Sequence, residues 1–363
     1  MINCLDLKGQ HEVVKEEIFK AFEEVYAKTA FSGGPFVEKF ENDFATYCET
    51  KFARGCNNGT NALHLALLAL DIKKGDEVIL PANTFIATAW AVSYVGATPV
   101  FVDCDPDTWE ICVADVRKKI TSKTKVIIGV HLYGMPFDIT SIAQIAEEYK
   151  IEFIEDAAQA QGAYFNGKRV GSFGAMACFS FYPGKNLGAC GEAGGITSNR
   201  KKFMDKISML RNHGCEERYY HDILGYNMRM GGLEGASLSV KLKYIDGWNQ
   251  RRQAIAKKYQ TGIVSAKVKL QYIPKNVKSV YHLFVVTVED REKFVRHLET
   301  KLINAAYHYP VPCHLQKAYS SMGHKKGDFP NSEYLAEHCV SLPMYPELSD
   351  EAVKTVINAV NDY

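Results

Sequence analysis

The sequence predicts an α/β protein: a large domain on a mostly parallel mixed sheet, then a smaller C-terminal α/β domain. Three observations carry this. From about residue 77 to 160, short β-branched runs alternate with amphipathic helical segments. That is the rhythm of a largely parallel sheet with helices on both faces. After about Leu242 the texture changes to one long amphipathic stretch followed by shorter alternations. A chain of 363 residues also suits two domains at roughly 100–200 residues each.

The elements follow in order. From about His11 to Ala27, Val14, Ile18, Phe22 and Val25 fall on one helical stripe. A Gly-Gly-Pro turn at 33–35 leads into a second amphipathic helix from Phe36 to Tyr47. CNNGTNALHLALLAL opens with Asn and Gly and becomes strongly apolar, which puts a helix start near Gly59 and Thr60. DEVILPA, TPVFVDCDP, TKVIIGVHLYG and EFIEDAAQA read as strands. ATAWAVSYV, VADVRKKI and SIAQIAEEYK read as the helices between them. AMACFSF and EAGGITS add two adjacent strands. YIDGWNQRRQAIAKKYQ is a long helix, and VYHLFVVTV is a strand of the second unit. A boundary near Lys243 to Trp248 gives 1–245 as the large domain and 246–363 as the small one.

Composition excludes several classes. Lys+Arg is 43 and Asp+Glu is 42, a formal charge of +1, which argues against a surface built for nucleic acid. Ten cysteines contain no C-x-x-C pair and sit mostly in apolar runs, so they read as reduced small hydrophobes, with no metal site. MINCLDLKGQHEVVKEE lacks the apolar core of a secretory signal. The longest apolar stretch is broken by Thr88, Ser93, Gly96 and Pro99, short of the about 20 residues a span needs. The expected location is the cytoplasm, with no membrane partner.

The chemistry is legible first by what is missing. There is no G-x-G-x-x-G after a strand, no P-loop, no G-x-S-x-G elbow and no H-E-x-x-H. In open parallel sheets ligands sit beyond the carboxyl ends of strands, and three such ends carry distinctive residues. In CNNGTNAL, Gly59 permits close backbone approach, and the free amides with the Thr60 hydroxyl can hold a phosphate. A plain helix cap reads the same way. In FIEDAAQAQGA, Asp156 ends an apolar strand, where a carboxylate needs a cationic or hydrogen-bonding partner. It caps the next turn or meets a protonated ring nitrogen. In CFSFYPGKNLGACGEAGGI, Lys185 follows a strand and a Tyr-Pro-Gly turn. It is an ordinary loop lysine or a desolvated Schiff-base lysine. Anion cradle, carboxylate and lysine, in that order, are what pyridoxal 5'-phosphate (PLP) requires.

NNGTNAL, PANTFIATAWAVSYVGATPVFVD, EDAAQAQGA, FSFYPGKNLGACGEAGG, GYNMRM, HYPVPCHLQKAY and SLPMYPEL resemble, in this order, the motifs of the DegT/DnrJ/EryC1/StrS family. The resemblance implies the aspartate-aminotransferase fold (PLP fold type I) and PLP-dependent amination of nucleotide sugars. It implies that Lys185 bonds the cofactor and shuttles the proton, and that Asp156 keeps the pyridine nitrogen protonated. Gln159 is then beside the ring, and Phe85 stacks on it or packs in the core. Gly59, Thr60 and Ser180 match the phosphate-binding groups. Asn227 matches a residue reaching the phosphate from a neighbouring subunit, which implies a homodimer with shared active sites. Arg229 is then near the interface or in a structural ion pair. His308, Tyr309 and His314 match the segment contacting the nucleotide sugar, with Tyr182 a further candidate; each histidine is otherwise a structural residue.

Members with histidine in place of the lysine are dehydrases, so Lys185 implies amination. FYPGKNLGACGEAGG most resembles C-3 aminotransferases of dTDP-3-keto-6-deoxyhexoses, with L-glutamate as donor. The alternatives are a C-4 aminotransferase acting on a UDP- or GDP-linked 4-ketosugar, and a PLP-binding regulatory protein without turnover.

Overall fold

The central sheet forms where the chain carries its short apolar runs. The structure, a computed structural model, describes residues 1–363. Seven strands make this sheet: β1 (Phe52–Cys56), β2 (Glu77–Pro81), β3 (Thr98–Val102), β4 (Thr124–Val130), β5 (Glu152–Asp156), β8 (Met176–Ser180) and β9 (Gly194–Ser198). Between β5 and β8, the two-residue strands β6 (Tyr164–Phe165) and β7 (Lys168–Arg169) form a small separate sheet with β11 (Val277–Lys278). The central order is β1-β9-β8-β5-β4-β2-β3. Four pairings are parallel, and β9 runs antiparallel to both β8 and β1.

The strands are apolar on both sides because both faces are covered. Val78 and Leu80 enter one core with α3 (Gly59–Ala69), α4 (Ile86–Tyr94) and α7 (Lys201–Leu210). Ile79, between them, enters the opposite core with α5 (Val113–Lys119) and α6 (Ile139–Tyr149). α2 (Pro35–Tyr47) and α8 (Gly232–Lys241) cover Ala177 and Phe179 on β8. α1 (Leu7–Ala27) packs on α8; it starts four residues before the expected His11 because Asp6 caps it through the Lys8 amide.

β1 is the strand that periodicity does not reveal. Arg54 and Gly55 interrupt its apolar run. It forms because β9 supplies a partner edge, from Phe52 against Ser198 to Cys56 against Gly194.

A second, antiparallel sheet has the order β10 (Val268–Leu270), β12 (Phe284–Val288), β13 (Cys339–Leu342). Around it lie α9 (Ile245–Gly262), α10 (Arg291–Thr300), α11 (Pro330–His338) and α12 (Asp350–Asn361). A cut at residue 245 separates the two sheets but not all of their packing partners. The Ile2 amide donates to the Leu302 carbonyl at 2.8 Å, and the Met344 amide to that of Cys4 at 3.2 Å. In the other direction, Cys313, Tyr319 and Phe329 are buried in the core beneath α3 and α4. All ten cysteines are free, and no helix is long and apolar enough to cross a membrane.

Candidate active site

The loops beyond β2, β4, β5 and β8 and the start of α3 enclose one cavity of about 330 Å³. That lies within the usual range of roughly 300–1,000 Å³ for small-molecule sites.

The α3 start is the first wall. Asn58 caps it, with Oδ1 accepting from the Asn61 amide at 2.8 Å. The amides of Gly59 and Thr60 lie in the first helical turn, where no intrahelical acceptor is available. Gly59 is pressed against β8: a Cβ there would lie 2.6 Å from that of Ser180. The close approach brings Ser180 beside the helix end, and together they could hold an anion.

Asp156, at the end of β5, is 5% exposed. Its Oδ2 accepts from the Thr88 hydroxyl at 2.8 Å, and its Oδ1 from the Ala158 amide at 3.2 Å. Burial pushes the carboxyl up, while Thr88, Ala158 and the charge of Lys185 hold it back. A cation meeting this carboxylate would offset its desolvation. Lys185 sits in the turn after β8, its amide bonded to the Tyr182 carbonyl at 2.8 Å. Burial pushes its amine down to about 8, against the opposing charge of Asp156.

Gln159 is fixed at both ends: Oε1 accepts from the Tyr133 amide at 2.6 Å and Nε2 donates to the Tyr309 hydroxyl at 3.0 Å. The Tyr309 ring lies 5.2 Å from that of Phe85. Phe85 is 50% exposed and lines the cavity, so it is not a core residue. Tyr182 is exposed at the same cavity.

Gly59, Thr60, Phe85, Asp156, Gln159, Ser180, Tyr182, Lys185 and Tyr309 therefore come together. Three expected residues do not. His308 stands behind Tyr309, with Nδ1 at 2.8 Å from Ser341 Oγ and its carbonyl accepting from the Tyr133 hydroxyl at 2.5 Å. Burial and the charge of Lys185 push it down to about 4. His314 is corrected to a core position: it is 2% exposed, 3.0 Å from Glu333 Oε1, and packed on Phe329. Its short 3₁₀ turn points it inward, away from the cavity that Tyr309 faces. Asn227 is exposed and lies outside its own chain's cavity. Arg229 donates to Asn212 Oδ1 at 3.0 Å and Ser32 Oγ at 3.3 Å.

Sequence reasoning missed Thr88, although it lies in the same NTFIAT motif as Phe85. Thr84 and Thr88 are spaced i,i+4 and their hydroxyls are 2.9 Å apart, a spacing that was available as a signal. Glu192, a second carboxylate at the cavity, had no such signal.

The model of the DegT/DnrJ/EryC1/StrS aminotransferase family matches residues 12–361. The chain belongs to this family. A dTDP-3-amino-3,6-dideoxy-α-D-galactopyranose transaminase of Aneurinibacillus thermoaerophilus is 45% identical over 100% of this chain and 99% of that relative. A pleiotropic regulatory protein of Geobacillus stearothermophilus is 42% identical over 100% of this chain and 98% of its own. The crystal structure of S. venezuelae DesV in complex with a ketimine intermediate superposes with a TM-score of 0.98 at 39% identity. It covers 99% of this chain and 98% of that one. DegT/DnrJ/EryC1/StrS aminotransferases are PLP enzymes, and so is this one. Its cavity fits the cofactor: an anion site where Gly59 leaves no room for a Cβ, a buried carboxylate, and a desolvated lysine.

Proposed function

We propose that this aminotransferase moves the amino group of L-glutamate onto the C-3 keto group of a dTDP-3-keto-6-deoxyhexose, giving a dTDP-3-amino-3,6-dideoxyhexose. The observation that carries the reading is the meeting of Lys185, Asp156 and the α3 start in one cavity. The C-3 and dTDP assignments draw on the 45%-identical dTDP-3-amino-sugar transaminase.

In this reading the amides of Gly59 and Thr60 and the Ser180 hydroxyl hold the cofactor's phosphate. The Asp156 carboxylate would meet the protonated ring nitrogen, and Phe85 and Gln159 would contact the ring. Bound PLP supplies an electron sink for the carbon bearing the transferred nitrogen. Lys185 moves the proton at Nζ, and an amine pushed down to about 8 accepts and returns it near neutrality. Tyr182 and Tyr309 face the entering sugar. Asn227 serves the cavity of the partner in a homodimer.

The test is the ultraviolet–visible spectrum of the PLP-loaded protein before and after L-glutamate. The visible band should give way to a near-ultraviolet one and return on adding the dTDP-3-ketosugar. NMR of the product should then locate nitrogen at C-3; nitrogen at C-4 from a UDP- or GDP-linked 4-ketosugar would reassign the substrate. The 42%-identical regulatory relative favours a second reading, PLP binding without turnover. A visible band that ignores glutamate would support it.

A further inference from the structure

Asn186, directly after Lys185, is 1% exposed and its amide is fully committed. Nδ2 donates to Asn249 Oδ1 at 2.9 Å and to the Val280 carbonyl at 3.0 Å. Oδ1 lies 3.2 Å from Nδ1 of His282. Asn249 Nδ2 in turn donates to the Gln161 carbonyl at 2.9 Å, and Gln161 Nε2 to the Ser180 carbonyl at 2.7 Å. The carbonyls of Val280 and Gln161 can only accept, which fixes the orientation of both asparagine amides. Asn186 Oδ1 is then an acceptor, so His282 carries its hydrogen on Nδ1 and donates.

This network ties α9 and the approach to β12 to the two segments that carry Lys185 and Ser180. The backbone is close-packed beside it: Gly134 has φ +94°, and a Cβ there would lie 2.9 Å from the His282 backbone nitrogen and 3.0 Å from the Gln159 carbonyl oxygen. The titratable and charged groups facing His282 are Lys185 on its turn, Arg252 on α9 and His308 behind Tyr309. Burial and the charges of Lys185 and Arg252 hold the imidazole neutral, and Asp156 faces Lys185 from β5.

We infer that His282 is a positioning residue for Lys185: donating from Nδ1 to Asn186, it fixes the Lys185 turn against the second sheet and keeps water from the lysine nitrogen. The inference rests on the reading of Lys185 as the cofactor lysine.

The test is a pH titration of the visible band of the PLP-loaded protein in three variants. Asparagine places an amide N–H where Nδ1 sits, and glutamine places one where Nε2 sits. His282→Leu should raise the midpoint by about one pH unit, because water entering beside the nitrogen favours its charged form. His282→Asn should restore the parental midpoint and His282→Gln should not. An unshifted midpoint in His282→Leu, or restoration by glutamine, overturns the inference. If His282→Leu fails to fold, the Asn–Gln contrast decides alone. A parental protein with no visible band overturns the reading of Lys185 itself and is distinguishable from all of these.

Discussion

A lysine amine pushed by burial from 10.5 to about 8 is still charged at neutral pH, in surroundings that disfavour charge. Its folded value lies below its unfolded one. The penalty on the cofactor-free protein is therefore complete below the folded value and fades as pH rises through about 8 towards 10.5. Lys185→Met should stabilise that protein by about 3 kcal/mol at neutral pH and by nothing in strong alkali. Urea midpoints at the two pH values check it; equal gains at both would mean packing, not charge. Asp156 is the converse case, a carboxyl raised by burial and held back in part by Thr88. In Thr88→Val the carboxyl loses that donor, so its value rises further. Turnover should fall about tenfold, and the acid limb of kcat/KM should move to higher pH. An unmoved limb would remove Thr88 from the site's electrostatics. Among the residues, Gly59, Thr60, Asp156, Ser180 and Lys185 were legible as a set that meets in one cavity, because the chemistry proposed for them restricts the residue type. His314 was not: six positions from His308, it turns into a pocket of Phe329 and Glu333 that no local pattern foretells.

Elements tell the same story through their partners. β2, β3 and β4 were readable because strands covered on both faces carry apolar runs. β1 was not, because its edge is supplied by β9, more than a hundred residues along the chain. Nor does periodicity give direction, so the antiparallel course of β9 had to come from the structure. α9 was predicted as an amphipathic helix, but its decisive residue is polar. Arg252 is 2% exposed, and its Nη1 donates to the carbonyls of Tyr281 at 3.2 Å, His282 at 3.3 Å and Met344 at 2.9 Å. Burial lowers the guanidinium to about 10, partly offset by the charge of Glu347. Arg252→Leu removes a buried charge but leaves three carbonyls without a donor. The second effect wins, and we expect a loss of about 2–3 kcal/mol in urea unfolding. No loss would mean that water reaches those carbonyls.

At the scale of the whole molecule, the cavity has cradle, carboxylate and lysine, while Asn227 sits exposed and outside it. Sequence order could place Asn227 in the same motif set as Lys185 but not say whose cavity it serves, since that depends on an interface between copies. Mixing subunits separates the two answers. Lys185→Ala should retain PLP through the phosphate site and Asp156 but lose turnover. Asn227→Ala should weaken PLP binding, so that each variant alone is impaired. If Asn227 serves the partner's cavity, a hybrid dimer gathers both defects in one site and leaves the other intact. Unfolding and refolding the two variants together should then restore up to about a quarter of parental activity, because half the dimers are hybrids with one good site of two. If Asn227 serves its own cavity, every site of the hybrid carries one defect and mixing restores nothing.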